Sequence, residues 1–261
     1  MDSMTTEAKA GVRASNSMVA AGNPLAVEAA LAALAAGGSA VDAALSADAV
    51  MGLVEPMATS IGGDLLAMIV EADGTARTYN GTGRAPAAVV VDRVRDLPKQ
   101  RIPDRHALSV TVPGAVRGWH DLHRRYGRLE WAAILAPAIA LAENGFAVTP
   151  ICAAEWKYFE SVLKADATSS ALYRVGHTPA AGERFRNPEL AAILRAIAAG
   201  GPDAFYKGEV ARAAARAVQG HGGVLADTDF AIHTGNFADP LSATFRGWTV
   251  LECPPNTHGV A

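Results

Sequence analysis

Two short glycine-bearing segments hold the residues whose types suit chemistry, Ser60 to Asp64 (SIGGD) and Asn80 to Pro86 (NGTGRAP). The second sets one guanidinium, Arg84, among small residues. Its planar donors can hold a carboxylate through two parallel hydrogen bonds, and the alternative is a solvated arginine or a structural ion pair. The first segment precedes the apolar run LLAMIV. A phosphate-cradling loop follows a strand and opens a helix, so SIGGD is not a nucleotide motif. It is either a loop where backbone approaches a ligand or another backbone closely, or a plain tight turn into a strand.

Other candidates are weaker. His120 and His123 stand three apart on a predicted helix and could present two imidazoles to a metal, but no HExxH pattern surrounds them. Beside Arg124, Arg125 and Tyr126 they read as an exposed polar helix face. His106, His177, His221, His233 and His258 are isolated, and no GxSxG motif is present. Asp42 and Asp48 fall six apart on a helix, Glu55 precedes a proline, and Asp227 with Asp229 falls in a predicted turn, so no carboxylate dyad is indicated. Cys152 and Cys253 are the two cysteines and form no CxxC pair, which fits buried or incidental thiols rather than a disulfide framework or a zinc site.

These residues must be positioned by elements of a helix-rich chain. The sequence has 261 residues, 50% of them hydrophobic and 19% charged, with abundant alanine and only 6% aromatic residues. That composition can bury a substantial core and favours closely packed helices. A net charge of -3 supports neither nucleic-acid nor anionic-membrane binding. The longest apolar stretch, Leu25 to Val54, carries Glu28, Asp42 and Asp48, so no membrane span is expected. MDSMTTEAKAG has no apolar leader core, and this absence with the scarcity of cysteine points to a cytoplasmic protein.

Asn23-Pro24 predicts a helix start and Gly37-Gly38 its stop, with Leu25, Leu31 and Leu34 on the buried side. Ser39 with Asp42 resembles a capping box opening a second helix to about Val54, before Pro56. Strands at 65–70 and 75–79, joined through Asp73-Gly74, form a hairpin, after which Asn80 to Pro86 crosses as a loop. Helices are expected at 114–126, 130–143, 151–164, 188–199 and 208–220. LSATF and WTVLE make a second hairpin around Arg246-Gly247. No repeat or low-complexity linker divides the chain, so one intertwined domain is expected. Because PPNTHGVA stops as an apolar segment begins, a continuation or a second chain is expected there.

Six separated blocks resemble the large-subunit region of the gamma-glutamyltranspeptidase family of N-terminal-nucleophile hydrolases. They are MVAAGNPLAVEAALAALAAGGSAVDAAL, LVEPMATSIGGD, NGTGRAP, VPGAVRGWHDLHRRYGRLEWAAILAPAIALAENGFAVTP, GPDAFYKGEVARAAARAVQGHGG and PLSATFRGWTVLECPPNTHG. In order and spacing they run from Met18 to Gly259, which leaves 1–17 as an N-terminal tail and 18–261 as the large-subunit portion of one domain.

The resemblance implies an α/β fold, a four-layer αββα sandwich, made from a precursor that cuts itself into interleaved large and small subunits. It allows a dimer of such heterodimers. The small subunit's N-terminal threonine would attack a γ-glutamyl or similar acyl amide and pass the acyl group to water or an amine. An α-amine titrating near about 8 beside the hydroxyl can serve as its base, so no cofactor or metal is implied. That threonine lies beyond the PPxxxG segment, so this chain carries no catalytic residue of its own. Thr5 and Thr6 precede the matching region. By itself the chain is expected to be inactive and to need its small subunit.

One departure bears on the substrate. Typical glutamyl-transferring members place an arginine four residues before the proline, where Thr82 stands here, and Arg84 follows two residues later. A two-residue shift along a strand keeps the face and moves the side chain by roughly 6 to 7 Å. NGTGRAP is more similar to the transpeptidase-like and cephalosporin-acylase-like branch. The resemblance thus suggests that Arg84 meets the acyl carboxylate or holds the loop. Thr82 and Asn80 would line the acyl pocket, and Ser60, Gly62, Gly63 and Asp64 would shape the site from beneath. The competing reading is a degenerate or truncated family member that only binds a partner chain.

Overall fold

The computed structural model describes residues 11–172 and 177–257. Thr5, Thr6, His258 and Gly259 lie outside them. Residues 11–17 are exposed and form no helix or strand.

Helix α1 (Pro24–Ala35) starts as its sequence requires, with the Asn23 side chain accepting from the Leu25 amide at 3.1 Å and proline in the first turn. Its buried side differs from expectation. Leu31 is exposed and Leu25 and Leu34 are half-buried, while Ala26, Ala29, Ala30 and Ala33 are buried. Those alanines recur at i, i+3, i+4 and i+7, a stripe of small side chains that lets α1 lie close against its neighbour. That neighbour is α2 (Ala40–Val54), which opens with the expected capping box: the Asp42 amide donates to Ser39 Oγ at 3.1 Å, and the Ser39 amide to Asp42 Oδ2 at 2.8 Å.

Strand β1 (Leu65–Val70) pairs antiparallel with β2 (Ala76–Gly81), from Leu65 opposite Gly81 to Val70 opposite Ala76. The hairpin matches expectation, but β2 runs two residues further. Asn80 and Gly81 belong to it because they stay in register with Leu66 and Leu65 of β1, and a third strand, β5 (Asn236–Ala238), pairs on its other side as far as Asn80, opposite Asn236. Short helix α3 (Val91–Arg95) follows, then α4 (Ala115–Tyr126), which packs on the sheet where Gly118 sits over Leu65 and Tyr79.

The remaining chain is chiefly helical. Helix α5 (Trp131–Asn144) leads through β3 (Phe146–Ala147) to α6 (Pro150–Ala165) and α7 (Ala167–Leu172). Strand β4 (Arg184–Phe185) pairs back on β3, and α8 (Pro188–Gly200), α9 (Asp203–Tyr206), α10 (Glu209–Gly220) and α11 (Asp227–Ala231) follow. Asp227 and Asp229 thus sit in a short helix rather than in the expected turn. Strands β6 (Leu241–Phe245) and β7 (Trp248–Glu252) form the expected second hairpin. No helix of the described residues is long and apolar enough to cross a membrane.

The core runs from the alanine stripe of α1 through Val50 and Leu53 of α2 to Trp119 of α4, Ile134 of α5 and Trp156 of α6. Trp119 Nε1 donates to Asp48 at 2.7 Å, and burial raises that carboxyl above its ordinary range. Cys152 is buried, its Sγ donating to the Val54 carbonyl at 2.9 Å, and burial pushes the thiol up to about 11. Both cysteines are free thiols.

The architecture is mixed α/β, with helices on one face of the three-stranded sheet. On the other face Leu66, Met68 and Val70 of β1 are exposed, as are Leu241, Phe245, Trp248 and Val250 of the β6–β7 hairpin.

Candidate functional site

Three backbone turns meet at the β2 end of the sheet. The first, Ser60 to Asp64, is closed by the Gly63 amide donating to the Ser60 carbonyl at 3.0 Å and the Gly62 amide to Ser60 Oγ at 3.1 Å. It is a tight turn into β1 and also a brace. The Gly63 carbonyl accepts from the amides of Gly114 and Ala115, at 2.9 and 3.0 Å, and so satisfies donors at the start of α4.

The second turn carries Arg84. Asp64 Oδ1 accepts from the Gly83 amide at 2.8 Å, the Arg84 carbonyl accepts from the Val112 amide at 3.0 Å, and Asp229 Oδ1 accepts from the Ala87 amide at 3.0 Å. The loop is therefore fixed at three points while the Arg84 side chain is exposed and has no hydrogen-bond or ion-pair partner among the described residues. Asn80 is committed within the chain: its Oδ1 accepts from the Thr82 amide at 2.9 Å and its Nδ2 donates to Asn256 at 2.9 Å. Among the described residues the Arg84 guanidinium and the Thr82 hydroxyl take part in no hydrogen bond, and the exposed Asp64 carboxylate shares this rim with them.

The third turn, Val112 to Gly114, was not singled out in the sequence. A Cβ on Gly114 would lie 1.7 Å from the Gly81 carbonyl oxygen, and one on Gly83 would lie 1.8 Å from that of Val112. Crowding within the chain falls on these glycines. At Gly62 and Gly63 the nearest atoms to such a Cβ are 3.4 Å away, an ordinary contact.

Beneath the junction lies His233, 2% exposed, stacked on Tyr206 with centroids 5.5 Å apart and with neither ring nitrogen hydrogen-bonded. Tyr206 pins the third turn, its hydroxyl donating to the Pro113 carbonyl at 2.7 Å and accepting from the Arg117 amide at 3.0 Å. Burial raises this phenol's pKa. Arg117 stacks over the ring 5.2 Å from its centroid.

Burial first, then the guanidinium groups of Arg117 and Arg84, hold His233 below its ordinary value of 6.5. Above 6.5 the imidazole is neutral whether the chain is folded or not. As pH falls through that value the unfolded chain takes up a proton that the folded chain refuses, so stability drops until the folded pKa is reached. His233→Phe, which keeps the stack on Tyr206, is expected to flatten this loss. Melting temperatures of both proteins from about pH 7.5 to about pH 5 test it, in the range where histidine titrates; parallel curves would refute it.

The other histidines do not form the expected exposed face. His120 and His123 of α4 are half-buried against Trp131 at 5.6 and 5.3 Å between centroids, and His123 Nε2 lies 2.8 Å from the Leu129 carbonyl oxygen. Trp131 covers them because its own Nε1 is anchored on the Ile197 carbonyl at 2.9 Å. Among the described residues no group of three metal-ligating side chains gathers, and no imidazole is hydrogen-bonded to a hydroxyl or thiol. The three turns form a rim fixed by backbone hydrogen bonds, on which the Arg84 guanidinium is exposed.

The gamma-glutamyltranspeptidase family profile matches residues 26–261. The chain belongs to the gamma-glutamyltranspeptidase family. It is 37% identical over 226 residues to the glutathione hydrolase-like YwrD proenzyme of Bacillus subtilis, covering 85% of this chain and 43% of that protein. Among solved structures it is similar to Helicobacter pylori gamma-glutamyltranspeptidase, with a TM-score of 0.88 at 25% identity over 94% of this chain and 72% of that one. It is also similar to the cephalosporin acylase of Bacillus halodurans, with a TM-score of 0.83 at 37% identity over 89% of this chain and 45% of the other. The fold is that of the gamma-glutamyltranspeptidases. The chain spans less than half the length of the curated relatives it matches.

Of the residues expected at a gamma-glutamyltranspeptidase-like site, Arg84, Thr82 and Asn80 and the turn of Ser60, Gly62, Gly63 and Asp64 come together at one rim. Gly114, Tyr206, His233 and Asp229 join them without having been foreseen. The VPG triplet before an amphipathic helix was the available signal for Gly114; the other three are brought in from more than 80 residues away and had none.

Proposed function

We propose that this chain is the large-subunit part of a self-processing amide hydrolase or acyltransferase. A second subunit from the same precursor contributes the N-terminal threonine that carries the acyl group, and the substrates are γ-glutamyl or glutaryl-type amides. The observation that carries the proposal is Arg84, an unpaired guanidinium on a rim held at three backbone points, in a member of this family. Similarity to a protein titled cephalosporin acylase supports the glutaryl-type side of that range.

Arg84 takes the carboxylate at the far end of the acyl chain in a two-bond clamp, with the Thr82 hydroxyl beside it. No proton moves in this step; its contribution is to fix the reacting carbonyl relative to the nucleophile. The exposed apolar side chains of β1 and of the β6–β7 hairpin fit burial against the second subunit. The chain alone is inactive in this reading, and the compartment proposed for it is the cytoplasm.

The test uses the full precursor. Intact mass after expression should reveal a second species beginning with threonine, and the assembled protein should cleave γ-glutamyl or glutaryl anilides. Arg84→Ala is expected to raise KM for such substrates by about 10- to 100-fold, the range for loss of a charged hydrogen-bond pair, with kcat changed far less. Wild-type KM in that variant would sink the assignment of Arg84.

A further inference from the structure

Asp229 lies 142 residues beyond Ala87, yet its carboxylate reaches the loop that carries Arg84. It is buried, and its two oxygens do separate work: Oδ1 accepts from the Ala87 amide at 3.0 Å and Oδ2 from the Ala226 amide at 2.9 Å. The second contact closes the first turn of α11. The first exports the rigidity of α11 to the substrate rim.

That rigidity is substantial. Phe230, next to Asp229, is fully buried against Phe205 and Tyr206 of α9 with centroids 6.3 and 6.5 Å apart. Two residues past the helix, His233 stacks on the same Tyr206 that pins Pro113. Pro86 has no amide proton, so the Ala87 N–H is the first donor available after that proline. Asp229 takes it, opposite the point where Asp64 takes the Gly83 amide. Arg84 stands between two carboxylate anchors from different parts of the chain.

We propose that Asp229 is a positioning residue for Arg84, acting through the Ala87 amide to hold the guanidinium where the acyl carboxylate binds. The proposal rests on the reading of Arg84 given above. Asp229 touches no substrate; removing its hold on Ala87 lets the loop pivot about its remaining anchors and spreads Arg84 over several positions.

The experiment uses the assembled enzyme and two amide substrates, one with a terminal carboxylate on the acyl chain and one with a methyl in its place. Asn at 229 can accept at only one of the two amides, since its other terminal atom is a donor. Asp229→Asn is expected to raise KM about tenfold for the carboxylate substrate, the scale of one charged hydrogen bond, and to leave kcat and the methyl substrate unchanged. In an Arg84→Ala background the same substitution should add nothing further, because the group it positions is gone.

An equal loss on both substrates, or an undiminished effect in the Arg84→Ala background, would show general structural support and overturn the proposal. Should the Asn variant fail to assemble, Asp229→Glu keeps both acceptors and displaces them by one methylene. A selective KM rise is again expected, and wild-type KM there overturns the proposal. If Arg84→Ala leaves KM unchanged, the reading of Arg84 falls and this proposal with it; if Arg84→Ala raises KM and neither Asp229 variant does, only this proposal falls.

Discussion

Gly114→Ala is expected to destabilise the assembled protein by about 4 kcal/mol or more, or to prevent assembly, a cost reserved for overpacking that nothing nearby can relieve. The added methyl would sit 1.7 Å from the Gly81 carbonyl oxygen. Gly81 is held in β2 opposite Leu65, and Gly114 itself donates to the Gly63 carbonyl at 2.9 Å. Backbone faces backbone, and retreat on either side breaks a hydrogen bond of the site. Gly118→Ala is the control: its nearest neighbours are the Leu65 and Tyr79 side chains at 3.1 Å, which can shift, and about 1 to 2 kcal/mol is expected. Chemical denaturation of the three proteins decides it. A Gly114→Ala variant within about 1 kcal/mol of wild type would mean that the loop junction yields, contrary to the rigidity argued from it.

Asp42→Ala is expected to cost about 3 kcal/mol or more, above the roughly 1 kcal/mol expected for Ser39→Ala at the cap it faces. The difference lies in what Asp42 Oδ2 accepts. Besides the Ser39 amide, it takes those of Arg128 and Leu129, at 2.8 and 3.3 Å, in the connection between α4 and α5. The side chain is fully buried, and its removal leaves three backbone donors without their acceptor. Asn keeps one acceptor oxygen for that position and should cost about 1 to 2 kcal/mol. Thermal or chemical denaturation of the series separates the roles: equal losses for Asp42→Ala and Ser39→Ala would reduce Asp42 to a helix cap.

Asp42 also illustrates how far local reading reaches. Its place in a capping box was legible because that motif is complete within four residues, and the same holds for Asn23-Pro24, the two hairpins and the main helices. The Arg84 and Ser60–Asp64 segments were legible as candidates because glycine beside a charged or hydroxyl residue is a local pattern. What escaped depends on distant partners. Strand β2 is held along its second edge by Asn236–Ala238, and His120 and His123 lose their exposed face where Trp131 folds over them. The buried side of α1 departs from expectation for a different reason: hydrophobicity favours leucine, whereas close approach of two helices selects alanine. Asp229 and His233 had no local signature, since a short helix and a lone histidine acquire meaning only from Ala87, Tyr206 and Gly114.

The anchors on the Arg84 loop engage the Gly83 amide, the Arg84 carbonyl and the Ala87 amide, all of them main-chain atoms. Such a frame is blind to the identity of the side chain at position 84. Exchange there, or at the half-buried Thr82, leaves every anchor in place, whereas a methyl on either glycine of the junction does not. On the proposed reading of Arg84, the rim is therefore a place where selection or a library of variants changes which acyl group is recognised in single steps, with the fold that presents it held constant.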